Sequence, residues 1–168
     1  MVSLKHCAAV LLGLVAAGTA PGLAADTAAV TWSVMAKPDQ DGKFQQCMAN
    51  GAGSDGKTLA FVITRDGSLI SLAVNPKWKF AEKSTHKVTF EIDGKTGGPL
   101  ETTVVSEVAL AYPLANSRSL MEAFANGRQF LLRIDGKSTG FSLKGADQAL
   151  SGLRECWAEG IKSLQAPK

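Results

Sequence analysis

Beyond residue 25 this chain has one histidine, His86, and two cysteines, Cys47 and Cys156. A zinc site draws several ligands from His, Cys and carboxylates at short spacing, and no such group is present. A Ser-His-Asp hydrolase would have to recruit His86 as its base. The sequence sets no nucleophile beside that histidine, which reads as a surface residue at a strand start. The nearest approach to a nucleophile elbow is "NGAGSDGK", where Ala52 takes the first glycine position and both flanks look like strands, so Ser54 reads as a loop residue. No glycine-rich phosphate loop occurs. Asp39 and Asp41 alternate in "PDQDG", but the remaining oxygens and the distal Glu of a calcium loop are missing, which leaves a solvated turn. The expectation is no metal, no cofactor and no enzyme.

Two further shortages narrow the class. The net charge is only +3 at pH 7, whereas nucleic-acid binding rests on several clustered phosphate contacts; nucleic acid is therefore not expected as a partner. The one basic cluster is Lys77, Lys79, Lys83 and Lys87, the kind of charge that guards a loop or sheet edge. Nor is there an apolar run of the roughly 20 residues needed to cross a bilayer, so no transmembrane segment is expected. The run from Cys7 to Ala17 follows Lys5 and His6 and gives way to Thr, Pro, Gly and small residues up to Ala25. That is the anatomy of a secretory signal peptide. Cys7 stands before the apolar segment, not after it, which excludes a lipoprotein. Residues 1–25 are expected to be a cleaved leader and residues 26–168 a single β-rich domain, periplasmic or secreted.

What the chain does contain is period-two alternation. "VTWSVMA", "KTLAFVITRDGSLISLAVN", "HKVTFEIDG", "ETTVVSEVALAY", "RQFLLRID" and "STGFSLKG" alternate apolar and polar residues between Gly and Asp breaks, as half-buried strands do. "FEIDGKTGG" returns as "LLRIDGKSTG", with Ile92 matching Ile134. Each copy offers one carboxylate and no second ligand. Asp-Gly supplies a hairpin turn, Ile the buried side and Lys the solvated one.

Two segments switch to helical spacing. "NSRSLMEAFANG" offers Ser119 and Glu122 as a capping box and Asn126-Gly127 as a stop. "GADQALSGLRECWAEG" carries Ala146, Ala149, Leu150, Leu153 and Trp157 on one stripe, with Gly160 able to end it. Cys156 lies beside that stripe. Two cysteines in one small exported domain pair, which here closes a loop of about 110 residues. The fold expected is mainly β, an antiparallel β-sandwich or partly closed barrel with two short helices, the second C-terminal. Trp32 and Trp157 read as core. Trp78, between Lys77 and Lys79 after Asn75-Pro76, is the candidate partner contact, because partner surfaces are enriched in Trp; a Trp folded back to plug a barrel end is the other reading.

The order "WSV", "FQQC" around Cys47, "LAVNP", "VTFEIDG", "SLMEAFANG" and "GFSLKGADQAL" resembles the invasion-associated locus B family of exported bacterial proteins over nearly all of the chain after the leader. The chain departs from that pattern at Met35 and in "VVSEVALAYP", where the family carries further cysteines, and at Ala146, where it carries an aromatic. The resemblance implies a small, β-rich periplasmic or secreted protein without catalytic activity, linked to host-cell invasion or the bacterial envelope. A protein partner is expected, with a periplasmic protease inhibitor as the alternative function.

Overall fold

Two of the three Asp-Gly pairs hold the left-handed backbone that a tight hairpin turn requires. Asp93 and Gly94 have φ of 46° and 84°, and Asp135 and Gly136 have 49° and 76°. A computed structural model describes residues 29–114 and 118–165; the expected leader lies outside the described residues. The strands are β1 (Val30–Pro38), β2 (Phe44–Gly53), β3 (Thr58–Thr64), β4 (Leu69–Val74), β5 (Thr85–Ile92), β6 (Lys95–Ser106), β7 (Ala109–Pro113), β8 (Gln129–Ile134) and β9 (Lys137–Ser142). The helices are α1 (Arg118–Asn126), between β7 and β8, and α2 (Ala146–Gln165), at the C-terminal end.

All nine strands join one antiparallel sheet in the order β1-β2-β3-β4-β7-β6-β5-β8-β9. The long β4–β5 connection lets the β5-β6-β7 meander fold back so that β7 lies beside β4, a Greek-key arrangement. Among the described residues the sheet does not close through backbone pairing. Side chains reach across the gap instead: Lys57 Nζ donates to the Gly140 carbonyl at 3.1 Å and Trp32 Nε1 to the Lys144 carbonyl at 2.9 Å. Lys57 also pairs with Asp55 at 2.7 Å, and its ammonium holds the Asp55 carboxyl below the usual carboxylate range.

The concave face holds the core. Phe61 stacks on Trp32 at 6.0 Å and meets Phe124 of α1 edge-on at 5.0 Å; Phe124 continues to Phe130 at 5.2 Å. Helix α2 lies over β1 and β2. The expected disulfide is present, joining fully buried Cys47 on β2 to Cys156 on α2 with 6.2 Å between Cα atoms.

Four local expectations change. β2 reads in the sequence only as a strand-like flank of "NGAGSDGK" and not as a full alternating strand, because "CMANGAG" is poor in β-branched residues. Tertiary packing explains its small residues: Cys47, Ala49 and Gly51 face α2 and Trp32, and a Cβ on Gly51 would sit 2.8 Å from the indole. "ETTVVSEVALAY" is two strands that fold back at Glu107 and Val108. Ser119 lies inside α1, and Glu122 accepts from Arg118 Nε at 2.9 Å. Gly160 does not end α2. A Cβ there would lie 2.4 Å from Phe44, so glycine is what allows the helix to pass over that ring and run on to Gln165.

Tyr112, the chain's only tyrosine, is fully buried. It pairs with Ser71 across β4 and β7, close enough for the serine to restrain the phenol's shift slightly. Ser71 nevertheless donates its hydroxyl to the Ala60 carbonyl at 3.1 Å, and among the described residues the Tyr112 hydroxyl has no hydrogen-bond partner of proper geometry. Burial pushes the phenol well above its ordinary value of 10.0. A raised pKa in the fold means this contribution to stability is complete below pH ~10 and lost as pH rises above it. Tyr112→Phe is expected to add roughly 1 kcal/mol by removing an unpaired buried hydroxyl, and to abolish the tyrosine's share of the alkaline fall. Urea midpoints of both proteins at pH 7 and above pH 10 measure both effects.

Candidate partner-contact site

The β4–β5 connection is held rigid by one asparagine. Asn75 is buried, takes its backbone N–H to the Val108 carbonyl at 2.9 Å, and accepts from the Lys77 N–H on Oδ1 at 3.0 Å. Its carbonyl accepts the Trp78 N–H at 3.0 Å, while the Phe80 N–H reaches the Glu107 carbonyl at 2.8 Å. Asn-Pro begins this turn because Asn readily bonds the backbone two residues on. The loop is thus tied to the β6–β7 turn.

Trp78 is half-buried: its Nε1 donates to Thr139 Oγ1 on β9 at 3.3 Å, and its ring packs against Phe80 at 5.1 Å. The indole is folded back, and its remaining surface lines a cleft of about 450 Å³. Lys77, Lys79, Phe80, His86, Asp135 and Lys137 complete the wall. Among the described residues no carboxylate pairs with Lys77, Lys79 or Lys137. Lys83 and Lys87 are exposed and do not line the cleft. The volume is within the range of ligand pockets, and its cations and aromatics suit an anionic surface with some apolar area.

His86 lies at the floor of this cleft with a serine beside it, which the sequence reading did not anticipate. Ser84 Oγ is 3.1 Å from His86 Nε2, and His86 Nδ1 is 3.3 Å from Asp135 Oδ2. This is the connectivity of a hydrolase triad, but the serine also has a backbone acceptor. Ser84 Oγ donates to the Ala81 carbonyl at 2.6 Å and the Ser84 N–H bonds the same oxygen at 3.2 Å. With its one proton given to the Ala81 carbonyl, the hydroxyl does not donate to His86 in this arrangement, and the serine N–H is engaged by the same carbonyl. The group closes the Ala81–Ser84 turn, where Lys83 has φ of 61°, and pins the start of β5 to the Asp135-Gly136 turn.

The two "IDGK" copies therefore share a turn and differ in what it touches. Asp135 meets His86, whereas Asp93 accepts the backbone N–H of Arg128 and Gln129 at 2.9 Å each. Ile92 and Ile134 are both buried. Asp39 caps its own turn, accepting from the N–H groups of Asp41 and Lys43. Among the described residues no group of three His, Cys, Asp or Glu could hold a metal ion, and no helix is long and apolar enough to cross a membrane. The contribution of Lys137, 58 positions beyond Lys79 in sequence, had no local signal; nor did that of Thr139. Compared with known proteins, the chain matches no family model, and no curated protein or solved structure is significantly similar to it.

Proposed function

We propose that this chain is a non-catalytic, exported binding module that meets a protein or envelope partner through the cleft around Trp78. The observation that carries the reading is the convergence of Lys77, Lys79 and Lys137, from two distant segments, on a cleft walled by Trp78 and Phe80. The leader pattern supports export, as does a disulfide, which persists in oxidising compartments. The resemblance to invasion-associated locus B proteins supports a role at the bacterial envelope or in contact with a host cell. The partner surface is acidic, with an apolar patch for the indole. Lysines on a rim supply steering and specificity more than raw affinity.

The experiment is capture from envelope extract by the immobilised, oxidised protein, repeated with Lys77→Glu/Lys79→Glu. That double variant touches no core contact and keeps the fold, checked by circular dichroism. Capture is expected to fall about tenfold, equivalent to ~1.4 kcal/mol, and to weaken for the native protein as salt rises. Undiminished capture by the folded double variant would exclude this loop. Trp78→Ala is the less clean probe, since it also removes the bond to Thr139.

A further inference from the structure

Helix α1 does not fill the space it covers. Its buried side chains Met121 and Phe124 enter the core, whereas Leu120 and Ala123, on the flank toward the β5–β6 hairpin, are half-buried. Across from them stand Phe90 and Ile92 of β5, and between the two walls lies a cleft of about 370 Å³ that opens to solvent. Protein interiors leave few voids larger than a water molecule, so a space of this size beside the core needs a local cause. Two glycines on its walls supply it. Gly97 faces Phe90 in the β5–β6 register, and a Cβ there would sit 2.3 Å from the ring. The tip of the ring rests on the strand because no side chain stands at 97. Gly127, just past α1, likewise admits Ile92, whose methyl would be 2.8 Å from a Cβ.

The rim is polar: Asp93, Lys95 and Thr96 stand at the β5–β6 turn, Ser119 and Asn126 on α1. The Asp93 carboxylate accepts the backbone N–H groups of Arg128 and Gln129 with both oxygens, so its charge is held by that turn. Asn126 donates its amide to the Glu122 carbonyl at 2.8 Å. Lys95 is exposed, and among the described residues no carboxylate pairs with it. Apolar walls with one unmatched cation and the Thr96 hydroxyl at the mouth are the composition of a small-molecule site.

We propose that this cleft binds a free medium-chain monocarboxylate, with its alkyl chain between Leu120, Ala123, Phe90 and Ile92 and its carboxylate on Lys95. Size and charge together select that class. At roughly 30 Å³ per non-hydrogen atom, the volume a water takes in the liquid, the space holds about a dozen atoms, a chain of about ten carbons with its head group. A much longer chain would leave its far end in water. The single cation favours one anionic head over a cationic one, and an ion pair at the rim adds selectivity more than affinity. The site shares no residue with the cleft around Trp78 and does not depend on the partner proposed for it.

The probe is decanoate, titrated below its micelle concentration into the oxidised protein and followed by methyl NMR. Shifts are expected at Ile92, Leu120 and Ala123, saturating with a dissociation constant of roughly 0.1–1 mM, as ligand efficiency allows for about a dozen atoms. Decyltrimethylammonium should bind about tenfold more weakly, and Lys95→Glu, which touches no core contact, should reverse that preference. Ala123→Phe places a ring in the cleft and should abolish binding while the fold, checked by circular dichroism, is kept. Phosphatidylglycerol vesicles at the same acyl-chain concentration should leave the three methyls unmoved; if they shift them as decanoate does, the occupant is a bilayer lipid and the proposal falls. It is equally overturned by the absence of a saturable shift at these methyls, by shifts confined to the Trp78 indole, or by a Lys95→Glu protein that still prefers decanoate. Undiminished binding by folded Ala123→Phe has the same consequence. Should Ala123→Phe fail to fold, the reversal at Lys95 decides alone.

Discussion

Reduction of the Cys47–Cys156 bond is expected to bring the domain to the edge of unfolding under conditions where the oxidised protein is stable. The two cysteines are 109 positions apart, and the chain-entropy model assigns about 4.7 kcal/mol to a loop near that length. Removing a native disulfide from a small exported domain costs roughly 2–5 kcal/mol, against a total stability of about 5–15 kcal/mol. The loss should be global rather than a local release of α2. That helix keeps its other anchors: Trp157 Nε1 donates to the Thr64 carbonyl at 3.0 Å, Gly152 packs on Val34, and Gly160 packs on Phe44. A thiol left at Cys47 remains fully buried, so no new polar surface forces the helix away. Urea unfolding of the oxidised, reduced and Cys47→Ser/Cys156→Ser forms measures the effect. A reduced form within about 0.5 kcal/mol of the oxidised one would mean that the unfolded chain already keeps β2 near α2, since the chain-entropy argument compares unfolded states.

Phe130→Ala should cost nearly as much, roughly 3–5 kcal/mol. Phe130 is fully buried on β8 and is the ring on which the rest of the core converges: Phe90 at 6.1 Å, Tyr112 at 6.4 Å, Phe124 at 5.2 Å and Phe141 at 6.0 Å. Those neighbours come from β5, β7, α1 and β9 and are fixed to the backbone of four elements, so they cannot all close on the space left behind. The cost therefore contains a cavity contribution as well as the lost burial. The denaturation midpoint should fall with an unchanged slope if the native state stays compact. A cost under about 1.5 kcal/mol would show that α1 collapses into the gap and that its seat on the sheet is soft.

The parts of the fold visible in the sequence are those that one short stretch decides. The Asp-Gly turns at Asp93 and Asp135 form because two adjacent residues accept positive φ, whatever surrounds them. The alternation of Val88, Phe90 and Ile92 is visible because period two is a property of an isolated strand. The same locality explains the misses. β2 hides because Cys47, Ala49 and Gly51 are small for the sake of α2 and Trp32, which lie far away in sequence. Gly160 looks like a stop signal and is instead clearance for Phe44.

At the candidate site the division is the same. Trp78 with its two flanking lysines stood out because an aromatic between charges after Asn-Pro is unusual locally. Lys137, Thr139 and Asp135 joined it only when β9 came round to the β4–β5 connection, and nothing in "IDGK" distinguishes the copy that meets His86 from the copy that meets Arg128. By itself the sequence determined the class of the protein: β-rich, disulfide-linked, with turns and strand faces assigned by backbone preference and side-chain alternation. Tertiary structure alone decided which strands are neighbours, which lysines share a cleft and where α1 leaves a space beside the core. Those outcomes depend on pairings between segments tens of residues apart, whose relative stability no local preference encodes.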